Sequence, residues 1–224
     1  MRYLTGMKDH VHSKLGERGS YYKKIIKELN LGIFESHLDL GCGSGDITKA
    51  FSTISKHSTG IDIDISKTNK YPGIKFEKQN IYNLKNGSYD LVTAVSFFEH
   101  LPDIEKAVKI VSKINNRYLI VQIPNKYFFV DLQTYLPLQF LFPLKLRLQL
   151  IKLGYSEDSI RAGQLSKRRL IQVLKRYYEV EQTIKLVYPE NLLPHQFRPV
   201  HRLFKRLGIY KLVPFGYILI CKKN

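Results

Sequence analysis

Between residues 37 and 51 the chain reads HLDLGCGSGDITKAF, an apolar run followed by glycines at 41, 43 and 45 and then by Ile47, Ala50, Phe51 and Ile54 at helical spacing. Glycine lets a backbone approach a ligand closely and take positive φ, and a strand, a bare turn and a helix open a crevice at the carboxyl end of a parallel sheet. A dinucleotide pyrophosphate wants G-x-G-x-x-G at the helix N-terminus. Here the spacing is G-x-G-x-G, and Asp46 stands where the third fingerprint glycine belongs. A carboxylate there competes with a phosphate for the same amides and tolerates an ammonium group. The pattern therefore points away from NAD and toward a nucleoside carrying an amino-acid tail. A second carboxylate, Asp62, comes 21 residues after Gly41 at the end of the next apolar run, where it can accept both hydroxyls of a ribose. A glycine-rich turn alone is also a way to turn a corner; strand, turn, helix, strand and Asp together are harder to explain as packing.

The elements that must position these residues alternate. Residues 14–30 have a helical face of Tyr22, Ile25, Ile26 and Leu29. Strands are predicted over 37–41, 58–65, 74–80, 88–97 and 117–124, the fourth nearly all apolar from Leu91, as expected where helices cover both faces of a sheet. An amphipathic helix over 103–114 has Asp103 near its start, and Pro124 stops the fifth strand. Strand–helix alternation implies right-handed βαβ units and a doubly wound α/β sheet. Residues 125–165 break the pattern: they are rich in Leu and Phe, interrupted by Pro137 and Pro143, and carry Lys145, Arg147 and Lys152. A helix over 166–178 with Ser166 as its N-cap, a strand over 179–188, a loop with a short basic helix over 189–212 and a last strand GYILICKK complete seven strands.

Over residues 20–125 the sequence resembles the class I S-adenosylmethionine-dependent methyltransferases, nearest in style to the small-molecule groups called type 11 and type 12. LDLGCGSG resembles the family's first motif, GIDID its acidic strand end, and YDLVTAVSFFEHLPD its fourth-strand motif. The resemblance implies a Rossmann-like sheet of about seven strands with the last antiparallel, plus a helical insertion after the fifth. It implies S-adenosyl-L-methionine as cofactor, with Asp39, Gly41, Gly43 and Gly45 along its methionine part. Asp62, with Ile63 beside it, would hold the ribose; Asn80 and Ile81 would edge the adenine, and Ser96 would close the pocket below. One position departs from the pattern. KFEKQNIYNL places Asn80 where an aspartate is usual, and its amide oxygen still accepts from an adenine amine.

Methyl transfer from a sulfonium is an in-line displacement that needs alignment and exclusion of water, and a base only where the nucleophile is a poorly ionised hydroxyl. His100, just past the fourth strand, is the candidate base, set against a simpler role in packing the EHLPD turn; His195 in the late loop is set against a surface role, and Glu99 is read as bonding backbone near the pocket. Methylation of exocyclic nucleobase amines is disfavoured, because SFFEHL is not an Asn/Asp-Pro-Pro-aromatic motif. Cytosine carbon-5 methylation is disfavoured because Cys42 lies in the glycine turn and Cys221 in the last strand.

The chain has 224 residues, 44% apolar and 25% charged, a size and composition for one globular domain with a substantial core. The expected division is a cofactor core over 20–125, an acceptor lid over 125–165, and a helix with strands over 166–224. The N-terminal 20 residues lack an apolar stretch of the secretory kind, no metal-ligand spacing is present, and two cysteines suit free thiols, so a cytoplasmic location is expected. The net charge of +17 is uneven: residues 126–224 hold eighteen Lys and Arg against six Asp and Glu, a net of +12. Such a field attracts anionic partners. With the Leu- and Phe-rich insertion it suggests a small or lipid-like acceptor methylated at oxygen, and peripheral contact with an anionic membrane. An RNA acceptor and a non-catalytic cofactor-binding scaffold are the alternatives.

Overall fold

The computed structural model describes residues 15–66, 68, 71–130, 138–153, 160, 165–193 and 195–224. Residues 1–14 and parts of the 125–165 insertion, Pro137 included, lie outside the described residues. Seven strands form one sheet: β1 (Phe34–Leu40), β2 (Ser55–Asp62), β3 (Ile74–Lys78), β4 (Ser88–Val95), β5 (Asn115–Pro124), β6 (Tyr178–Leu186) and β7 (Gly216–Lys223), in the order β3-β2-β1-β4-β5-β7-β6. β1 to β5 are mutually parallel, and β7 runs antiparallel to both β5 and β6. This is the doubly wound α/β sheet with an antiparallel last strand that the sequence implies.

The described helices are α1 (Leu15–Leu29), α2 (Asp46–Phe51), α3 (Ile104–Lys113), α4 (Leu144–Leu148), α5 (Lys167–Leu174) and α6 (Arg198–Arg206). Side chains alternate across a strand, so the apolar runs of β1, β4 and β5 feed two cores. On one face Leu38, Leu40, Val92, Ala94, Leu119 and Val121 pack against Ala107, Val108 and Val111 of α3 and Leu170, Val173 and Leu174 of α5. On the other, Phe34, Leu91, Val95 and Ile120 meet Tyr22 and Ile26 of α1 and Ala50 and Phe51 of α2. The predicted caps are present: Asp103 accepts from Lys106 N at 2.9 Å, and Ser166 accepts from Arg169 N at 3.2 Å.

Strand ends shift from the predicted positions for local reasons. β1 begins at Phe34, which pairs with Ser55 of β2. β2 stops at Asp62, short of Ile65, because the Asp62 carboxylate accepts the Asp64 N–H at 3.1 Å and turns the chain. β4 stops at Val95 because Ser96 takes φ +52°. α5 ends at Leu174, four residues before the predicted limit, since Tyr178 is already paired with Lys223 in the sheet. The 125–165 insertion contributes 3-10 turns at Gln139–Leu141 and Gln149–Leu153 around α4.

Candidate functional site: the glycine turn and its rim

The turn after β1 is anchored from below. Gly41 N and Cys42 N both donate to Ile61 O, at 2.9 and 3.0 Å, and Gly45 N donates to Cys42 O at 2.8 Å. Gly41, Gly43 and Gly45 take φ of +72°, +52° and +83°, a region that favours glycine. Their surroundings differ. A Cβ on Gly41 would lie 2.4 Å from the Phe97 ring, and one on Gly45 would lie 2.8 Å from the Phe76 ring. At Gly43 no heavy atom lies within 4 Å of where a Cβ would sit. Two of the glycines are thus required by aromatic side chains of the protein itself, and only Gly43 presents bare backbone to the open side. Gly43 is also tied across the crevice: its N–H donates to Asp62 Oδ2 at 2.9 Å, and its carbonyl accepts from Thr68 Oγ1 at 2.6 Å.

Asp39 sits beneath the turn. It is 1% exposed, and its two oxygens accept from Thr48 Oγ1 of α2 and Thr93 Oγ1 of β4, both at 2.6 Å. Thr93 spends its only proton on Asp39, so it accepts from His37 Nε2 at 2.9 Å, and His37 Nδ1 accepts from Ser58 Oγ at 3.3 Å. That fixes a proton on Nε2, and burial keeps the ring neutral, so that Nδ1 is the acceptor. Burial holds the His37 pKa down at about 3 and raises that of Asp39 to about 6 against the two threonine bonds. Asp39 therefore acts on the crevice through α2 and β4, not by direct contact.

Asp46 at the start of α2 accepts from Ser44 Oγ at 2.7 Å and from the Tyr71 hydroxyl. Ile63, 66% exposed, stands on the rim next to Asp62. Asn80 is exposed, and its Oδ1 accepts Tyr82 N at 2.9 Å, capping the 3-10 turn Ile81–Asn83. The Ile81 side chain is 4% exposed in the core, so what it offers the crevice is backbone. Ser96 lies past the end of β4, its N–H donating to Gln122 O at 3.0 Å and its hydroxyl to Gln122 Oε1 at 2.8 Å. Next come Phe97 against Gly41 and the 3-10 turn Phe98–His100, which holds Glu99 buried and His100 half-buried. His195 is exposed in a 3-10 turn between β6 and α6.

Sequence reasoning missed the wall opposite the turn. α1 crosses the start of α2 so closely that a Cβ on Gly19 would lie 3.0 Å from Asp46 O. The Tyr21 hydroxyl donates to Val187 O at 3.0 Å, and Tyr21 and Tyr188 rings are 5.7 Å apart. Arg18 hydrogen-bonds Tyr188. Burial opposes its charge, but Tyr188, Tyr22 and Glu99 together hold its pKa above the ordinary value. These residues come from α1, the β4 exit and the β6 exit. They share no motif and no spacing; Phe76 and Phe97 read as ordinary core residues. The cysteines are buried, and burial raises both thiols to about 12, which removes Cys42 and Cys221 as nucleophiles. Among the described residues no group of His, Cys, Asp or Glu could hold a metal ion, and no helix is long and apolar enough to cross a membrane.

The bare Gly43 backbone, with the Asp62 carboxylate at the next strand end, fits a ribose-bearing ligand that needs close backbone approach. Each Asp62 oxygen accepts one backbone N–H and keeps a second lone pair for a hydroxyl. The same fold recurs in solved structures that align over nearly the whole chain. A putative S-adenosylmethionine-dependent methyltransferase from Listeria monocytogenes aligns with TM-score 0.59 at 16% identity, covering 92% of this chain and 98% of that one. Magnesium protoporphyrin IX methyltransferase from Synechocystis with bound S-adenosylhomocysteine aligns with TM-score 0.57 at 14% identity, covering 96% and 84%. The N-methyltransferase NodS from Bradyrhizobium japonicum, also with S-adenosylhomocysteine, aligns with TM-score 0.55 at 13% identity, covering 93% and 86%. No curated protein matches by sequence. The profile of the methyltransferase-domain family matches residues 14–173, well over half of the chain. With strand order, glycine turn and family profile in agreement, the chain belongs to the methyltransferase-domain family and is a class I S-adenosylmethionine-dependent methyltransferase.

Proposed function

We propose that this enzyme transfers the methyl group of S-adenosylmethionine to an oxygen of a small or lipid-like acceptor at the mouth of the glycine turn. The observation that carries the cofactor part is the uncrowded Gly43 backbone, whose N–H donates to the Asp62 carboxylate at 2.9 Å across adjacent strand ends. Asp62 takes the ribose hydroxyls, Ile63 and the Ile81 backbone edge the adenine, and the Asn80 amide meets its amine. Bound there, the cofactor supplies a methyl group activated by a sulfonium, which leaves as a neutral thioether. The protein has to hold the acceptor in line behind that methyl and keep water out. Phe97 and the wall formed by Arg18 and Tyr22 of α1 with Tyr188 past β6 serve the second task, and the turn Phe98–His100 the first. His100 takes the acceptor's proton as the C–O bond forms.

The insertion after β5 is the acceptor lid, and its surface favours an amphiphile. Leu141, Phe142, Leu146 and Ile151 are 63%, 47%, 48% and 38% exposed, and Lys145, Gln149 and Lys152 are exposed beside them. Apolar side chains interleaved with cations suit peripheral contact with an anionic membrane. The test is methyl-labelled S-adenosylmethionine added to cell extract with the purified enzyme, with the label sorted into lipid, RNA, protein and small-molecule fractions. Label in the lipid or small-molecule fraction, as base-labile or ether-type oxygen methyls, is expected. Label in RNA would transfer the basic half to nucleic-acid binding, and no label above an Asp62→Ala control would leave a cofactor-binding scaffold.

A further inference from the structure

Behind the lid lies a second feature that the cofactor crevice does not use. The segment leaving β5 and the long connection from β6 to β7 enclose a cavity of about 70 Å³, lined by Phe128, Leu193, Val200, His201, Phe204 and Phe215 among others. Its walls are nearly all apolar. Phe128 and Phe215 rings are 4.3 Å apart, and Tyr210 and Phe215 stack at 5.0 Å. The polar pair within it is mutually satisfied: His201 Nδ1 and the Tyr210 hydroxyl are 2.7 Å apart. His201 is 4% exposed and burial lowers its pKa, so the cavity holds a neutral ring. A cavity so lined offers water few partners, and an engineered apolar cavity of about 150 Å³ admits benzene. At less than half that volume, this one has room for the last few carbons of a hydrocarbon chain.

Its position makes that capacity useful. Asn125 N donates to Phe215 O at 2.8 Å, and Pro124 pairs with Gly216, which places the cavity at the C-terminal end of β5, the same sheet edge as the glycine turn. The Phe215 ring lies 5.8 Å from that of Tyr188, the residue bonded to Arg18 on the crevice wall. On its outer side α6 buries His201 and leaves Val200, Leu203 and Leu207 48%, 51% and 62% exposed at spacings of three and four residues. Arg202, Lys205 and Arg206 project from the rest of that helix, exposed. Arg198 donates Nε–H to the carbonyl of Leu193, itself a lining residue, at 3.2 Å.

We propose that this cavity is the seat for the terminal hydrocarbon of an amphiphilic acceptor whose head is anionic. The chain end enters past Val200 among Phe128, Phe204 and Phe215, and Arg198 and the cations of α6 face the anionic head. The Tyr188 side of the pocket leads toward the turn Phe98–His100. The charge of residues 126–224, eighteen cations against six carboxylates, matches that head. The inference rests on the acceptor reading above, but its test does not require turnover.

The probe is a series of alkyl phosphates from methyl to dodecyl, kept below their critical micelle concentrations, with inorganic phosphate as the headgroup control. Binding is measured by calorimetry on the full chain, and S-adenosylhomocysteine is titrated in parallel. Affinity should rise about three- to fourfold per added methylene while the chain is being buried, then level off once the cavity is full. Val200→Phe at the mouth and Leu193→Phe inside should each weaken octyl phosphate at least tenfold, with S-adenosylhomocysteine affinity unchanged. Should Leu193→Phe fail to fold, Val200→Phe, at a half-exposed position, decides alone. Octyl phosphate binding no better than inorganic phosphate, or equally well to parent and Val200→Phe, overturns the proposal. Loss of S-adenosylhomocysteine binding in the parent would instead strike the cofactor reading and leave the chain-length result to stand or fall by itself.

Discussion

The Gly43 N–H and the Asp62 carboxylate are 2.9 Å apart, so the first strand's turn and the second strand's end are held as one unit. Asp62 is therefore the brace of the turn, besides the ribose-holding role proposed for it. Asp62→Ala should weaken S-adenosylhomocysteine binding by about 1.5–3 kcal/mol, the range for hydrogen bonds to a charged group. Asp62→Asn keeps an acceptor for Gly43 and should lose less. Isothermal titration of the two variants checks the order; equal losses would mean that the brace contributes nothing.

The three glycines should not behave alike. Gly43→Ala adds a Cβ that meets no protein atom within 4 Å, so its stability cost is confined to the left-handed backbone, roughly 1 kcal/mol, and its main effect is on the cofactor. Gly41→Ala drives a methyl to 2.4 Å from the Phe97 ring and adds an overpacking cost of about 1–3 kcal/mol. Thermal melts without cofactor should fall further for Gly41→Ala, whereas cofactor titration should fall at least tenfold for Gly43→Ala.

Asn80 caps the Ile81–Asn83 turn through Oδ1. Aspartate can make the same cap, and a charged acceptor binds an amine about twice as strongly as a neutral one. Asn80→Asp should therefore tighten S-adenosylhomocysteine by about 1 kcal/mol with little change in stability. Weaker binding by the variant would remove Asn80 from the adenine edge.

The buried His37–Thr93–Asp39 network titrates with opposing signs. The folded pKa of His37, about 3, is below the unfolded 6.5, so its contribution is present above pH 6.5 and lost as pH falls toward 3. The folded pKa of Asp39, about 6, is above the unfolded 3.8, so its contribution is present below pH 3.8 and lost as pH rises through 6. Between pH 7 and 4.5 the two nearly cancel. His37→Gln removes the loss, so that variant should gain on the order of 2 kcal/mol relative to its own pH 7 value. Asp39→Asn should lose a similar amount. Urea unfolding at pH 7 and 4.5 reads both, and parallel pH profiles for parent and His37→Gln would count against a neutral buried imidazole.

Charge on the lid should act on membranes and not on the cofactor. Lys145 and Lys152 are exposed, while Arg147, which reads in the sequence as a third surface cation, is 5% exposed. The double variant Lys145→Gln, Lys152→Gln should weaken attachment to vesicles containing phosphatidylglycerol by up to about 1 kcal/mol per charge at low salt, with cofactor affinity unchanged. A parent that ignores such vesicles at any salt concentration would rule out the membrane-facing lid.

Much of the fold was legible because its signals are local. Alternation of apolar runs with helical faces determined the parallel sheet, and the glycine turn and the acid at the next strand end are adjacent in space as their spacing implies. Asp103 and Ser166 announced their helices because a cap is a bond between residues three apart. The ends of β2 and β4 were not legible: one depends on a carboxylate folding back on its own backbone, the other on a positive φ at a serine.

By itself the sequence determined the class of fold and the family, and it singled out the residues proposed here for a nucleoside with an amino-acid tail, since each rests on spacing along the chain. Only the tertiary structure decided which side of the turn each residue serves. It put Asp39 underneath with its oxygens taken by Thr48 and Thr93, gave Gly41 and Gly45 to the rings of Phe97 and Phe76, and left Gly43 bare. It also brought Phe128, His201 and Phe215, far apart in the chain, around one apolar cavity beside the crevice. Such contacts follow from how strands and connections close in space, and no period or motif along the chain encodes them.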